Sequence, residues 1–500
     1  MRLLDLPPEI LDLIIDRTAP TGLENFVLSC RTVYGRAASQ IQRHNALKRV
    51  WRNTPSFTLT RAGDTLSILH EISREPIIAE YIENLYLWDR RSEDETMGEP
   101  AEYSFREDPQ AMEEIKNLLR RSEHYANVNE DEWWNQILEE DRANEGSSVD
   151  KLYATIALLS LLPNLKVLQL PDRWHEIREG ESAETLVPLV QALVSMSNAS
   201  GHRQKPLAQL ETLLPFVEEG YDTRVGLQCL EPFMTLESIR NIYAVSLTAV
   251  DEGWGESAFR WLNPNTKSPL TRVEFASCCM NAAGLAGFLA NLPALRVFRY
   301  SHQTKWHGVQ YDWNAGEMLE TLANYCSGTL VDIAMTIDEL PGEVVNGLSS
   351  FLRFTKLERL EVDVECFCGP PVESGQRLGA EARIPEGAVA WRHADIPCMG
   401  DMLPESIREL YVNTNFPQPS EESLLALFKN IVTRRQDKLT NLHTTVIRQY
   451  RSSSAMYIAD NHNILMEVFD ADVEDPRPRS MMPLWKREFD RRVGGIVSSS

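Results

Sequence analysis

No apolar run in the sequence approaches the roughly 20 residues that a membrane-spanning helix needs. The longest, Leu152 to Leu162, is about half that, and the opening MRLLDLPPEI lacks the apolar core of a secretory signal. The chain is therefore expected to stay inside the cell, cytoplasmic and/or nuclear, without a membrane partner. Cysteine is scarce, eight among 500 residues and mostly within apolar segments, which suits buried reduced thiols better than a disulfide framework. Asn198-Ala199-Ser200 then reads as a chance glycosylation triplet. Positive charge is short as well. Lys and Arg number 50 against 73 Asp and Glu, a formal charge of −23, and such a field repels nucleic-acid phosphates and anionic lipids. The deficit is uneven: residues 1–62 carry nine basic against five acidic side chains, residues 93–145 five against seventeen.

Catalytic signatures are also missing. The sequence holds no Gly-rich phosphate loop with its lysine, no G-x-G-x-x-G after a strand, no G-x-S-x-G elbow and no H-E-x-x-H. His70-Glu71 and His175-Glu176 lack the second histidine, one turn on, that would put two zinc ligands on one helix face. Cys366-x-Cys368 with His393 and Cys398 supplies four possible ligands, but in a spacing that matches no common zinc module. Cys278-Cys279 reads as packing, and acidic pairs are too numerous for any to stand out as an acid/base dyad. The chain is read as non-catalytic and free of cofactors and metals.

What is present begins with a small helical unit. Leu6-Pro7-Pro8-Glu9 places proline where a helix starts, with Asp5 available as a cap. Leu6, Ile10, Leu11, Leu13, Ile14 and Ile15 then cover more than half of the helix circumference, too much apolar surface for packing on one side. Ala19-Pro20-Thr21-Gly22 breaks the pattern. Leu23, Phe26, Val27, Cys30, Val33 and Tyr34 recur at helical spacing, and a third helix carries Ala37, Ala38, Ile41 and Leu47. A trio this small buries too little to stand alone, so a partner or the following domain must complete it.

The ordered signals LPPEILDLII, a break, and LENFVLSCRTVY resemble the F-box, particularly the form common in filamentous fungi, over residues 3–49. Ser29 and Tyr34 depart mildly from the pattern, where an apolar residue and tryptophan are usual. The resemblance implies docking on a Skp-type adaptor, and through it on a cullin, by Leu6, Pro7, Ile10, Leu11, Ile14, Leu23, Leu28, Cys30 and Tyr34. The other reading of these apolar faces is a helical cap on the next domain.

Residues 50–75 read as a linker helix region. From about residue 76 an element recurs: apolar, two others, apolar, one other, apolar, with strand alternation after a helical stretch. Clear copies are Leu165-x-x-Leu168-x-Leu170, Leu295-x-x-Phe298-x-Tyr300, Leu357-x-x-Leu360-x-Val362 and Ile407-x-x-Leu410-x-Val412. Weaker copies start at Ile82, Leu210, Ile239, Leu270, Leu330 and Leu439. Helical patterns lie between, over Ala154–Leu162, Glu184–Met196, Ala283–Leu292, Gly316–Cys326, Glu343–Leu352 and Glu421–Ile431. The alternation predicts an α/β chain, a small all-α F-box followed over 76–470 by what resembles an irregular leucine-rich-repeat-like solenoid, or horseshoe. An ordinary α/β domain would alternate in the same way. Three stretches interrupt it: an acidic insert at 90–150 with Trp133 and Trp134, a Gly- and Pro-rich loop at 366–402, and a tail at 471–500. The tail opens with a linker over 471–480, and a last short helix is expected over Met482–Val493.

On each strand the residues alternating with the buried positions should share the concave face. That row comprises Asn84, Tyr86, Trp88, Val167, Gln169, Asn241, Tyr243, Arg272, Glu274, Val297, Arg299, Arg359, Glu361, Glu409 and Tyr411. Tyr86, Trp88, Gln169, Tyr243, Arg272, Arg299, Arg359 and Tyr411 are the candidate contacts for a protein ligand, since Tyr, Trp and Arg dominate such interfaces. The expected function is the substrate-recognition subunit of an SCF-type cullin-RING ubiquitin ligase, with an unknown protein as substrate. The alternative is a structural complex with the Skp-type adaptor that leads to no degradation.

Overall fold

The computed structural model describes residues 3, 6–54, 65–88, 108–122, 130–143, 152–178, 182–199, 205–250, 258–342, 344–348, 350–364, 366, 397–414, 421–450, 459–460, 464–469 and 482–498. Asp5, Cys368, His393, the 471–480 linker and most of the 366–402 loop lie outside them. The chain is α/β and divides into two compact units, Met1–Glu211 and Thr212–Ser499. Among the described residues no helix is long and apolar enough to cross a membrane.

The first unit opens with α1 (Pro8–Arg17), α2 (Leu23–Val27), α3 (Arg31–Arg36) and α4 (Ala38–Trp51). The second helical stretch expected from the sequence, Leu23 to Tyr34, is thus two helices, α2 and α3, and the third is α4. Proline begins α1, where its missing N–H costs nothing, and no side chain caps that end. Cys30 caps α3, its Sγ accepting from Val33 N at 3.5 Å. Leu11, Ile15, Leu23, Val27, Val33 and Ala37 form the shared core. Arg36 donates two bonds to Asp12, at 3.0 and 2.7 Å, tying α3 to α1. His44, buried in α4, meets the Tyr81 hydroxyl at 2.8 Å, which anchors the helical group to the chain that follows.

Strands β1 (Asn53–Thr54), β2 (Asn84–Tyr86) and β3 (Val167–Gln169) pair in parallel in this unit. Within the acidic stretch 90–150 the described residues form helices Pro109–Arg120 and Glu130–Ala143. Asp108 caps the former by accepting from Gln110 N and Ala111 N. Trp133 and Trp134 are buried, and Trp133 meets the Tyr153 ring edge-on at 4.6 Å.

The second unit carries β4 (Thr212–Leu214), β5 (Val225–Gly226), β6 (Asn241–Val245), β7 (Leu247–Ala249), β8 (Arg272–Met280), β9 (Val297–Gln303), β10 (Asp332–Glu339), β11 (Arg359–Asp363), β12 (Glu409–Thr414), β13 (Thr444–Tyr450) and β14 (Leu465–Phe469). Its main sheet runs β4-β6-β8-β9-β10-β11-β12-β13-β14, every pairing parallel, with β5 and β7 to one side.

The apolar spacing read from sequence marks these strands closely. Ile82, Leu165, Leu210, Ile239, Leu270, Leu295, Leu330, Leu357 and Ile407 are each fully buried two residues before a strand begins. The tenth position differs: Leu442, not Leu439, stands two residues before β13. A recurrent backbone contact fixes the register. The two N–H groups at a strand start converge on one carbonyl of the preceding strand: Arg296 and Val297 on Thr271, Val331 and Asp332 on Arg296, Glu358 and Arg359 on Val331, Arg408 and Glu409 on Glu358. A slip of one residue would break this pattern and turn the apolar set outward.

The expected helices appear at Leu152–Leu159, Ser182–Asn198, Ala282–Leu289, Ala315–Cys326 and Glu421–Phe428, followed by a separate helix Ile431–Asp437. One expectation fails: the described residues of Glu343–Leu352 form no helix. Their backbone donors bond elsewhere, Val345 N to Trp313 O, Leu348 N to Cys366 O and Phe351 N to Met402 O, so tertiary partners replace the helical i−4 carbonyls. Finally, the helix expected over Met482–Val493 is Leu484–Ser498.

Candidate functional sites

The first candidate is the apolar surface of the helical group. Of the nine residues expected there, Ile10 is 42% exposed, Leu28 75% and Tyr34 55%, with Pro7 also exposed. Leu6, Ile14 and Cys30 are half-buried. Leu11 and Leu23 are not surface residues: at 4% and 1% exposure they belong to the core of the group, so a partner cannot reach them. The helical period alone did not distinguish these two, because α1 is apolar around most of its circumference. Leu13, absent from the expected set, is 55% exposed and extends the surface along α1.

The second candidate is the row of strand residues opposite the apolar face. In the first unit Asn84 pairs with Val167, and Tyr86 with Gln169. Asn84 Nδ2 donates to Asn53 Oδ1 at 2.6 Å, Gln169 is 2% exposed, and burial pushes the Tyr86 phenol up to about 12. Trp88, just past β2, is half-buried.

In the second unit parallel register stacks the predicted residues in two ladders, with Asp332 and Ala334 of β10, which the sequence reading did not include, completing them. One runs Asn241, Arg272, Val297, Asp332, Arg359, Glu409; the other runs Tyr243, Glu274, Arg299, Ala334, Glu361, Tyr411. The two ladders form one polar face, and the apolar positions between them point to the other side. The sequence suggested an open ligand surface. The structure corrects this, because the chain's own C-terminal helix Leu484–Ser498 lies on the face. Tyr243 is 8% exposed and Arg299 1%, while Arg272 and Arg359 are half-buried.

That helix crosses the strands from β11 back toward β6. Its first two amides donate to the buried Glu361 carboxylate, Leu484 N at 2.5 Å and Trp485 N at 2.9 Å, so an acidic side chain of the sheet caps the helix N-terminus. Trp485 Nε1 donates to Thr336 Oγ1 at 3.1 Å. Lys486 Nζ sits 3.0 Å from Asp338 Oδ2 and 3.3 Å from Glu219 Oε1. Glu488 accepts from Arg299 at 2.8 Å and Arg359 at 3.0 Å. Phe489 meets the Tyr243 ring edge-on at 5.9 Å, and Arg492 donates to Glu274 Oε1 at 2.6 Å. Arg448 of β13 donates to Met482 O just before the helix.

The electrostatics follow from burial and pairing. Burial alone would raise Glu488, but the guanidinium groups of Arg299 and Arg359 outweigh it and hold its carboxyl below the usual value. Asp338 behaves likewise: burial is overcome by Lys486 and by hydrogen bonds from Ser301, Lys486 and Ser277. Glu361 goes the other way, since burial exceeds the pull of Arg448 and Arg359 and raises it. Burial disfavours the Arg299 cation, yet Asp332, Glu274 and Glu488 around it raise its pKa overall. These groups are paired scaffold charges, each held by a partner of opposite sign or a helix amide.

Among the described residues no group of three or more His, Cys, Asp or Glu is arranged to hold a metal ion. Cys366 is buried with its thiol toward Met335 O, and Cys398 faces Ala426 O. Burial drives the Cys278 and Cys279 thiols up to about 12 each.

The sequence signal for the C-terminal helix was present but incomplete. Trp485, Glu488, Phe489 and Arg492 fall at i, i+3, i+4 and i+7, one face of a helix. Nothing local says that this face meets residues 120 to 270 positions earlier.

No family model matches the chain, and no curated protein matches it.

Proposed function

We propose that the helical group over residues 3–49 is an F-box and that the strands which follow belong to an irregular leucine-rich-repeat-like solenoid. The protein then serves as the substrate-recognition subunit of an SCF-type ubiquitin ligase. The F-box binds a Skp-type adaptor, the adaptor joins it to a cullin, and the solenoid holds a protein substrate. Its contribution to ubiquitin transfer is proximity, with the covalent chemistry on other subunits.

The observation that carries the reading is the division of labour inside the helical group. Leu11, Ile15, Leu23, Val27, Val33 and Ala37 form its core, while Ile10, Leu13, Leu28 and Tyr34 remain exposed on so small a unit. Single exposed apolar residues are common, but a set drawn from three neighbouring short helices is what a protein interface presents.

The test is affinity capture from cells. The full chain should retain both adaptor and cullin, and an Ile10→Asp, Leu28→Asp double variant neither, because a carboxylate enclosed in an apolar contact costs several kcal/mol. Capture of the adaptor without the cullin would favour the complex that leads to no degradation. Capture of neither by the unaltered chain would contradict the F-box reading.

A further inference from the structure

We infer that the polar face of the second unit's sheet is a receptor for an amphipathic helix, filled in cis by Leu484–Ser498. When that helix leaves, the face takes a partner protein's helix bearing an aromatic residue, lysine, an acid three residues after the aromatic, a second aromatic at i+4 and arginine at i+7. The inference concerns the substrate face of the proposed ligase subunit and stands apart from its adaptor contact, so the two fail in different experiments.

The recognition chemistry is read from the cis occupant. Trp485 and Phe489 sit one turn apart against Thr336 and Tyr243. Between them Glu488 joins Arg299 and Arg359, and flanking them Lys486 meets Asp338 and Glu219 while Arg492 meets Glu274. Glu361 closes the start of the helix through two backbone amides, a contact indifferent to side-chain identity. The face therefore demands a helix with a defined start and a defined order of charges.

Two properties favour exchange over a permanent seal. The contact is dominated by ion pairs and hydrogen bonds, with Trp485, Phe489 and Val493 as its buried apolar side chains. Such pairing is interchangeable with any segment that brings the same groups. Glu274, Arg299 and Glu361 are at most 1% exposed with the helix in place, so its departure returns these charged groups toward water, and a replacement must bring opposite charges to the same positions. The face selects a replacement of matching charge, and like charges at those positions are rejected.

The experiment places a protease recognition sequence within residues 471–480 of the full chain and cleaves it. A fluorescent peptide of residues 482–498 is then added and its anisotropy followed. The labelled peptide is expected to bind the cleaved chain saturably and the uncut chain at least tenfold more weakly. Peptides carrying Glu488→Lys or Trp485→Ala should lose at least tenfold, and a scrambled peptide should not compete. The recognition substitutions are confined to the peptide, and the melting transition of the cleaved chain reports whether the receptor stays folded. Failure of the labelled peptide to exchange, equal competition by the scrambled peptide, or loss of the chain's melting transition once the fragment is released would each overturn the inference and make the helix a fixed part of the core.

Discussion

Ile10 and Leu11 are neighbours in sequence, yet one is 42% exposed and the other 4%. That contrast separates what the fold needs from what a partner needs. Leu11→Ala should destabilise the helical group by about 2 to 5 kcal/mol, the cost of a cavity in a core of six residues, visible as a lower denaturant midpoint. Ile10→Asp should change that midpoint by no more than about 0.5 kcal/mol in the isolated chain, because the carboxylate stays in water. A large loss from Ile10→Asp would place Ile10 in the core instead. Sequence could assign Leu11 and Ile10 to the same apolar helix, but not to its buried and exposed sides. Choosing between sides depends on where α2 and α3 return, and the packing of Leu23 and Val33 settles it.

At the scale of elements, the strands were the most legible part. Their leading apolar residue stands two positions before the first ladder bond, and alternation then fixes which face each side chain takes. That is why the polar ladder from Asn241 through Glu409 could be written from spacing apart from Asp332 of β10. Elements held by distant partners were not legible. The Glu343–Leu352 stretch has helical periodicity, but its donors are claimed by Trp313, Cys366 and Met402. Strand β14 escaped because it lacks the leading apolar pattern, and its first residue, Leu465, is 66% exposed. The docking of Leu484–Ser498 depends on charges that look like solvated surface in a strongly acidic chain.

Two predictions belong to this helix. Glu361→Ala removes the acceptor of its first two amides, and loss of such a cap costs about 0.5 to 2 kcal/mol. Amide exchange across Leu484–Ser498 should accelerate several-fold relative to the strands; equal exchange would show that the cap contributes nothing. Acidity is the second lever. Glu488 and Asp338 have folded pKa values below their ordinary ones, so their contribution is complete at neutral pH and is lost as pH falls past the ordinary carboxylate range and through those depressed values. Glu361, raised by burial, works in the opposite sense, because its charge is disfavoured in the fold and protonation relieves that cost. Corrected for intrinsic rates, helix amides should be less protected at pH 3.5 than at pH 6, and in Glu488→Gln the difference should shrink. An unchanged pH profile in that variant would remove Glu488 from the account.

On the scale of the whole molecule, the chain combines a small helical group displaying apolar residues with a large parallel α/β body whose polar face is organised by ion pairs. The class of architecture was readable from the alternation of helical and strand periods. The division after Glu211 was not, because the same strand spacing continues on both sides of it. The adaptor reading rests on the helical group alone, and it can be tested with purified components. Titration of the full chain with a Skp-type adaptor in a calorimeter should show one-to-one binding with a negative heat-capacity change, the mark of apolar burial. The Ile10→Asp, Leu28→Asp variant should show no heat of binding at an unchanged melting temperature. Binding that survives this double substitution, or no binding by the unaltered chain, would contradict the account.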